Sequence, residues 1–279
     1  MILITGATAH FGRETAEVLA AAGERVRALS RTPEKAGLPE GVEVVRGDLT
    51  DGASLQPALA GVEAVFLVLP YGLDPSVLLK EAAAAGVRRV VFLSSGAVVD
   101  GAAEQPDVIA AYHARVEQAV VDAGFPWTFL RLMFPAINTL SFAMQLGGSD
   151  TVRAPYARAT ASLVHERDVA DAAAAVLTGP NHAGRTYRLD GPEFLTQAEQ
   201  VRVLGDVLAR DLAFEELDDA PVREQMSAFM EPAFVNALFD LMAATVDNDA
   251  PLDDTITRLT GHPARGYAAW VGDHRADFS

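Results

Sequence analysis

At 279 residues the chain can bury one sizeable core, or a main domain with a smaller lobe built against it. Its formal net charge of -16, with no Lys/Arg cluster to offset it locally, sets it against nucleic-acid phosphates, and no apolar run reaches the ~20 residues of a membrane span. Cysteine is absent, which excludes disulfides, thiolate nucleophiles and Cys-ligated metals; with no basic leader after Met1, a reducing cytoplasm is the expected compartment.

From the first residues, short apolar runs alternate with helical periodicity, the pattern of right-handed βαβ crossovers and a parallel sheet. Six strands are predicted, over 2–5, 25–29, 42–46, 64–69, 89–93 and 127–131. Each is apolar on both faces, as a sheet covered by helices on both sides requires. Gly23, Gly61, Gly86 and Gly124 each precede a strand, where a helix end calls for a residue tolerant of positive φ. The expected fold class is α/β: a Rossmann-type doubly wound parallel sheet over residues 1–132, with a small mixed α/β C-terminal lobe over 133–279. Some segments of that lobe are expected to return to the first domain. Within it the pattern predicts a Phe/Met-rich stretch over 133–144, strands near 161–164, 186–189 and 212–217, helices over 167–177 and 197–209, and a mostly helical tail. Its Phe and Met residues, among them Phe142, Met144, Phe229, Met230, Phe234 and Phe239, read mostly as helix core.

The strongest local signal is Gly6-Ala7-Thr8-Ala9-His10-Phe11-Gly12, placed directly after a strand and opening a helix. That is the context of a dinucleotide-binding turn: Gly6 permits the bend, Gly12 permits close helix packing, and helix N-terminal amides meet the diphosphate. Ala9 stands where a middle glycine is usual. Thr8, His10 and Phe11 complete the set expected around the phosphates. Ser30-Arg31 ends the second strand, where an acidic residue would favour NAD and an arginine favours the 2'-phosphate of NADP(H). Asp48-Leu49 follows the third strand, where Asp48 can reach the adenine amino group or cap the helix beginning near Thr50, and Leu49 can cover the ring.

Open α/β sheets bind ligands at the carboxyl ends of their strands. Those ends read Val68-Leu69-Pro70-Tyr71 and Ser94-Ser95-Gly96, with Val68, Leu69 and Pro70 expected at the cofactor and Tyr71 at the substrate. Ser94 or Ser95 could bond a substrate carbonyl, or satisfy local backbone. On the next helix neither Tyr112 nor His113 has a lysine four residues on, so the usual Tyr-Lys proton relay is missing. His113 and Tyr112 remain candidates for moving a proton, and His113 for bonding the nicotinamide ribose. Among the dispersed histidines no metal set emerges; His165-Glu166 with Asp168 comes nearest and reads as a helix start.

Taken together with Gly47-Asp48-Leu49, His113 with Glu117, Trp127-Thr128-Phe129-Leu130-Arg131, Asn138, Arg167-Asp168-Val169-Ala170 and Thr186-Tyr187-Arg188-Leu189, these motifs resemble the NmrA-like branch of atypical short-chain dehydrogenase/reductases, including its quinone-oxidoreductase-like members. The resemblance covers nearly the whole chain. It implies an NADP(H)-binding domain, substrate held in the cleft against a small lobe, His113 on the active-site helix, and Asn138 lining the pocket, to which the apolar residues of the lobe add Phe134 as a substrate contact. The leading expectation is an NADPH-dependent oxidoreductase, monomeric or a homodimer, that reduces a quinone, enone or related aromatic or conjugated small molecule, without nucleic acid or membrane as partner. Two other readings are a non-redox isomerase, cyclase or dehydratase on the same fold, and a sensor that binds NADP(H) without turnover.

Overall fold

The computed structural model describes residues 1–247 and 251–278. In its first half the predicted alternation folds as β1 (Ile2–Ile4), α1 (His10–Ala21), β2 (Val26–Ser30), β3 (Val42–Arg46), α2 (Gly52–Leu59), β4 (Ala64–Leu67), α3 (Ser76–Ala84), β5 (Arg89–Ser95), α4 (Val108–Asp122) and β6 (Trp127–Leu132). Gly23, Gly61, Gly86 and Gly124, at the helix-to-strand turns, all have positive φ, between 71 and 80°. Side chains alternate across the sheet with period two. Ile2 and Ile4 of β1 and Ala64 and Phe66 of β4 face one apolar layer, while Leu3, Val65 and Leu67 face the other. The second layer is closed by Leu55 and Leu59 of α2, Leu78 and Ala82 of α3, and Val116 and Val120 of α4.

Beyond Leu132 the chain forms β7 (Phe134–Pro135), a 3-10 turn over Ala136–Phe142, α5 (Ala143–Leu146), β8 (Thr151–Ala154), β9 (Thr160–Ala161), β10 (Leu163–Val164) and α6 (Glu166–Thr178). Then come β11 (Arg185–Leu189), β12 (Leu195–Thr196), α7 (Gln197–Leu208), β13 (Ala213–Glu216), α8 (Asp219–Ser227), α9 (Pro232–Ala244), α10 (Thr255–Thr260) and α11 (Tyr267–Asp273). Among these elements β11, α6 and, through Ile256, α10 pack with the layers built by the first half. β11 pairs in parallel with β6, giving a seven-stranded sheet in the order β11-β6-β5-β4-β1-β2-β3. α6 lays Val169, Ala172, Ala173 and Val176 on the first apolar layer beside Ala16 and Leu19 of α1. The single strand predicted over 161–164 is split in two, β9 pairing with β12 and β10 with β7. The remaining lobe has its own core, built from Phe142, Leu146, Val152, Val201, Leu204, Tyr267 and Trp270.

Three of the Phe and Met residues expected in helix cores are exposed instead: Met144 at 90%, Phe229 at 86% and Met230 at 40%. Met144 lies on a four-residue helix, and Phe229 and Met230 in the turn after α8, where no periodicity defines a buried face. No helix among the described residues is long and apolar enough to cross a membrane.

The C-terminal segment is fastened to the start of α6 by a polar cluster. Glu166, 4% exposed, accepts a bond from Trp270 Nε1 (2.8 Å) and faces His274 Nε2. The other ring nitrogen of His274 faces Asp277 at 2.8 Å. Carboxylates only accept, so both nitrogens carry hydrogens and His274 is an imidazolium. Burial opposes that charge, but the bonds from Asp277 and Glu166 outweigh it and raise the pKa above its usual 6.5. The stabilisation is therefore complete below the unfolded value and lost as pH rises through the folded one. We predict that the wild-type melting temperature falls between pH 6.5 and 9 and that His274→Ala flattens this slope, as measured by calorimetry across that range; equal slopes in the two proteins would refute the assignment.

Candidate active site

The strand order reverses between β1 and β4, and the crevice at such a switch point is where doubly wound sheets bind ligands. Thr5 ties its two walls together, its hydroxyl donating to the Val68 carbonyl (2.7 Å) and accepting from the Val68 amide (2.8 Å). Gly6 then turns with φ at +63°. A Cβ on Gly12 would lie 2.4 Å from the Gly6 carbonyl oxygen and 2.9 Å from Ala7 Cα, so α1 meets β1 with no room for a side chain. The amides of His10, Phe11 and Gly12 precede the first helical bond, from Arg13 to the Ala9 carbonyl, and are free to receive an anion at the crevice. Ala9 is the extended N-cap, at φ -118° and ψ 161°, with its methyl exposed. Nothing in that geometry requires glycine at the middle position. Thr8 and His10 are likewise exposed, and Phe11 packs on the first apolar layer.

At the far end of the crevice Ser30 closes β2, its hydroxyl accepting from the Thr32 amide at 3.1 Å. Arg31 is exposed, with no carboxylate in ion-pair range among the described residues, and its carbonyl is held by Arg46 (2.5 Å). Arg13 of α1 donates to the carbonyls of Ala36 and Gly37, at 2.9 and 2.6 Å, and so fixes the loop that follows Arg31. Asp48 does not cap α2, which starts at Gly52 with Asp51 as its N-cap. Its carboxylate instead accepts from the Thr50 amide and hydroxyl, at 2.9 and 2.7 Å, and these bonds hold its pKa below the usual value. Leu49 is half-buried against the second apolar layer.

The other end of the crevice holds the candidate chemistry. Asp107 caps α4 through the amides of Ile109 and Ala110, both at 2.8 Å, and so aims the first turns of that helix at the loop after β4. Tyr112, 4% exposed, has its hydroxyl 3.0 Å from the carbonyls of both Pro70 and Leu73. Burial pushes its pKa up to about 12. Tyr71 leaves that loop between Tyr112 and Phe234 of α9, with ring centroids 4.9 and 4.7 Å away, and donates to the Val108 carbonyl at 3.1 Å. His113 is half-buried against Phe92, and its Nδ1 lies 2.9 Å from the Ile109 carbonyl. A carbonyl only accepts, so Nδ1 carries the hydrogen and Nε2 presents a lone pair. Burial is the main cause that lowers the His113 pKa, which leaves the ring neutral at neutral pH.

The two serines differ. Ser94 is 3% exposed and donates to Glu117 at 2.6 Å, so its hydroxyl is committed inside the protein. Ser95 is half-buried at the end of β5, where its hydroxyl accepts from the Ala97 amide at 3.2 Å. Phe134 packs on the core of the small lobe, and Asn138 is exposed on the 3-10 turn. Contacts thus link the Gly6 turn to Val68, the loop after β4 to Tyr71 and Tyr112, and Tyr112 to His113, while Ser95 stands at the end of β5. Ser94 lies beneath, bonded to Glu117.

The NmrA-like family profile matches residues 1–258. A (4-alkanoyl-5-oxo-2,5-dihydrofuran-3-yl)methyl phosphate reductase of Streptomyces griseus is 44% identical, the alignment covering 100% of this chain and 99% of that one. An NAD(P)H azoreductase of Xenophilus azovorans is 30% identical over 100% of this chain and 99% of its own. Among solved structures, the NADPH-dependent quinone oxidoreductase of Escherichia coli complexed with NADPH superposes with a TM-score of 0.81 at 25% identity, covering 99% of this chain and 100% of that one. The chain belongs to the NmrA-like family. It is an oxidoreductase of the atypical short-chain dehydrogenase/reductase type, on the Rossmann-type fold that the sequence pattern predicts.

Two polar groupings of this NmrA-like chain escaped the sequence pattern because their members are far apart in it. Glu117 and Arg131 form an ion pair beneath the crevice, with Nη2 to Oε2 at 2.8 Å. Asp168, Asp171 and His262 approach closely enough to hold a cation, but the guanidinium of Arg265 pairs with both aspartates. The pairing of His113 with Glu117 one turn on was visible; what Glu117 bonds was not.

Two outcomes follow from this geometry. Gly12→Ala should cost about 1–3 kcal/mol through backbone displacement, and weaken dinucleotide binding along with it; denaturation and calorimetric titration would contradict the packing if both stayed at wild-type values. By 15N-resolved NMR, His113 should appear as the Nδ1-H tautomer and titrate below 6.5. An Nε2-H tautomer or a higher midpoint would remove its free acceptor.

Proposed function

We propose that this NmrA-like chain is an NADPH-dependent reductase of conjugated carbon–carbon double bonds activated by two carbonyl groups, with acyl-lactone phosphates as the leading substrate class. The observation that carries this reading is the absence of a strong acid among the described groups of the crevice. His113 is neutral with a bare Nε2, and the Tyr112 hydroxyl is pushed up to about 12 while bonded to backbone carbonyls. A simple ketone needs its oxygen protonated as hydride arrives, whereas a doubly activated alkene carries its own electron sink.

The dinucleotide fits the residues present. The Gly6 to Gly12 turn, where a Cβ on Gly12 is excluded, offers amides to a diphosphate, with Thr8, Ala9, His10 and Phe11 around it. Arg31 and Ser30 would hold the 2'-phosphate, Asp48 and Leu49 the adenine, and Val68, Leu69 and Pro70 the nicotinamide side. His113 would accept a hydroxyl hydrogen of the nicotinamide ribose at Nε2. When bound, NADPH supplies a hydride to the alkene carbon remote from the two carbonyls.

In the substrate named for the 44% identical relative, the alkene carbon bearing the alkanoyl group lies between that carbonyl and the lactone carbonyl. Negative charge left there spreads over both oxygens, and water can later return the proton to carbon. In this reading Ser95 would donate to one of those oxygens, and Tyr71, Phe134 and Asn138 would line the substrate side. Quinones share the property of carrying their own electron sink and are the second substrate class to assay.

The test is NADPH oxidation with an alkanoyl-butenolide phosphate, a quinone panel and a saturated ketone. Turnover should be fastest with the butenolide and undetectable with the ketone; ketone reduction alone, or tight cofactor binding with no oxidation of any kind, would defeat the proposal. Arg31→Ala should weaken NADPH binding by about 10- to 100-fold, the worth of a charge-assisted contact, and leave NADH unaffected. His113→Ala should weaken binding of both coenzymes, because the ribose hydroxyl is common to them.

A further inference from the structure

Beneath the crevice lies a buried polar assembly that the proposed chemistry does not use. Glu117 is 7% and Arg131 9% exposed. The Glu117 carboxylate accepts from Ser94 Oγ at 2.6 Å and from Arg131 Nε at 3.0 Å on one oxygen, and from Arg131 Nη2 at 2.8 Å on the other. Arg131 also donates to Asp100 at 2.7 Å. Ser94 and Arg131 are register partners on β5 and β6. Three segments therefore meet at the Glu117 carboxylate, the ends of β5 and β6 and α4 one turn beyond His113, and the Arg131 guanidinium adds a fourth, the loop after β5, through Asp100.

Stability does not require this arrangement. A buried ion pair must offset the desolvation of both charges, and replacing it whole with apolar groups of similar volume is often neutral or stabilising. What charge-assisted, bidentate bonds supply is fixed geometry. The loop that Asp100 anchors starts beside Met133, whose thioether occupies the space a Cβ on Gly96 would need. His113 is held to Ile109 on its own helix and rides on whatever positions α4.

We infer that Glu117 and Arg131 are positioning residues for the reaction. They lock α4, and with it His113 Nε2, to the carboxyl ends of β5 and β6 and to the loop that begins at Ser95. This rests on the reading of the crevice proposed above. Neither residue touches substrate or cofactor; both act through the placement of His113 and Ser95.

The test removes the assembly whole, by combining Ser94→Ala, Glu117→Met and Arg131→Leu, so that no buried charge or hydroxyl is left unpaired. The expected protein melts cooperatively near the wild-type temperature and binds NADPH no more weakly than His113→Ala does, yet loses about 100-fold in kcat, the scale of a small misplacement at the reacting atoms. Wild-type kcat in a folded variant overturns the inference. Because turnover depends on the substrate proposal, a second readout is independent of it: the 15N shift of His113 Nε2 on adding NADP+. A wild-type response that disappears or broadens in the variant supports the inference. Equal responses refute positioning while leaving the crevice reading intact, and silence in the wild type refutes the crevice reading and the inference with it. Should the combined variant not fold, Glu117→Gln is read by the same two measurements.

Discussion

The site depends on one close approach. α1 meets the end of β1 where Gly12 faces the Gly6 carbonyl, at a distance that leaves no volume for a methyl group. That contact draws the helix N-terminus to the switch point of the sheet, where its first amides face a crevice instead of bulk solvent. Thr5 completes the frame by satisfying both polar groups of Val68 across the reversal in strand order. The walls of the crevice are therefore set by backbone and by one short side chain, with little freedom to drift apart. Ala9 is tolerated within this frame because its extended backbone lies in a region open to any residue. Departure from the usual glycine pattern there leaves the helix start in place.

What the sequence made legible is what neighbours in the chain decide. Strand runs, the four glycines that end helices, and the Gly6 to Gly12 turn are local patterns, and each has the predicted conformation. The edge position of β11 was harder to see. Three of its five residues are exposed, so it lacks the apolar run of the inner strands, and its place depends on pairing with β6 across more than fifty residues. The buried charges were least legible. Arg265 finds Asp168 from 97 residues away, and His274 finds Glu166 from 108, distances over which no periodicity speaks. At the crevice, candidate residues could be named by position, but commitments could not: Ser94 and Ser95 look alike in sequence, and only packing assigns one to Glu117 and the other to a strand end.

These commitments narrow the chemistry. Near His113 most polar groups that could lend a proton are already engaged, Tyr112 with two carbonyls, Ser94 with Glu117, and Glu117 and Arg131 with each other, and Ser95 offers only a weakly acidic hydroxyl. His113 spends its one hydrogen on its own helix. A crevice built in this way can orient and accept, but it supplies little acid. On the function proposed, reduction in it would favour substrates whose charge, once an electron pair has arrived, is delocalised over their own oxygens. The missing Tyr-Lys relay is then no defect, because the same burial that withholds acid also keeps competing polar groups from the reacting carbon. On the function proposed, a preference for conjugated acceptors and the absence of a proton relay would be two consequences of one arrangement of buried bonds.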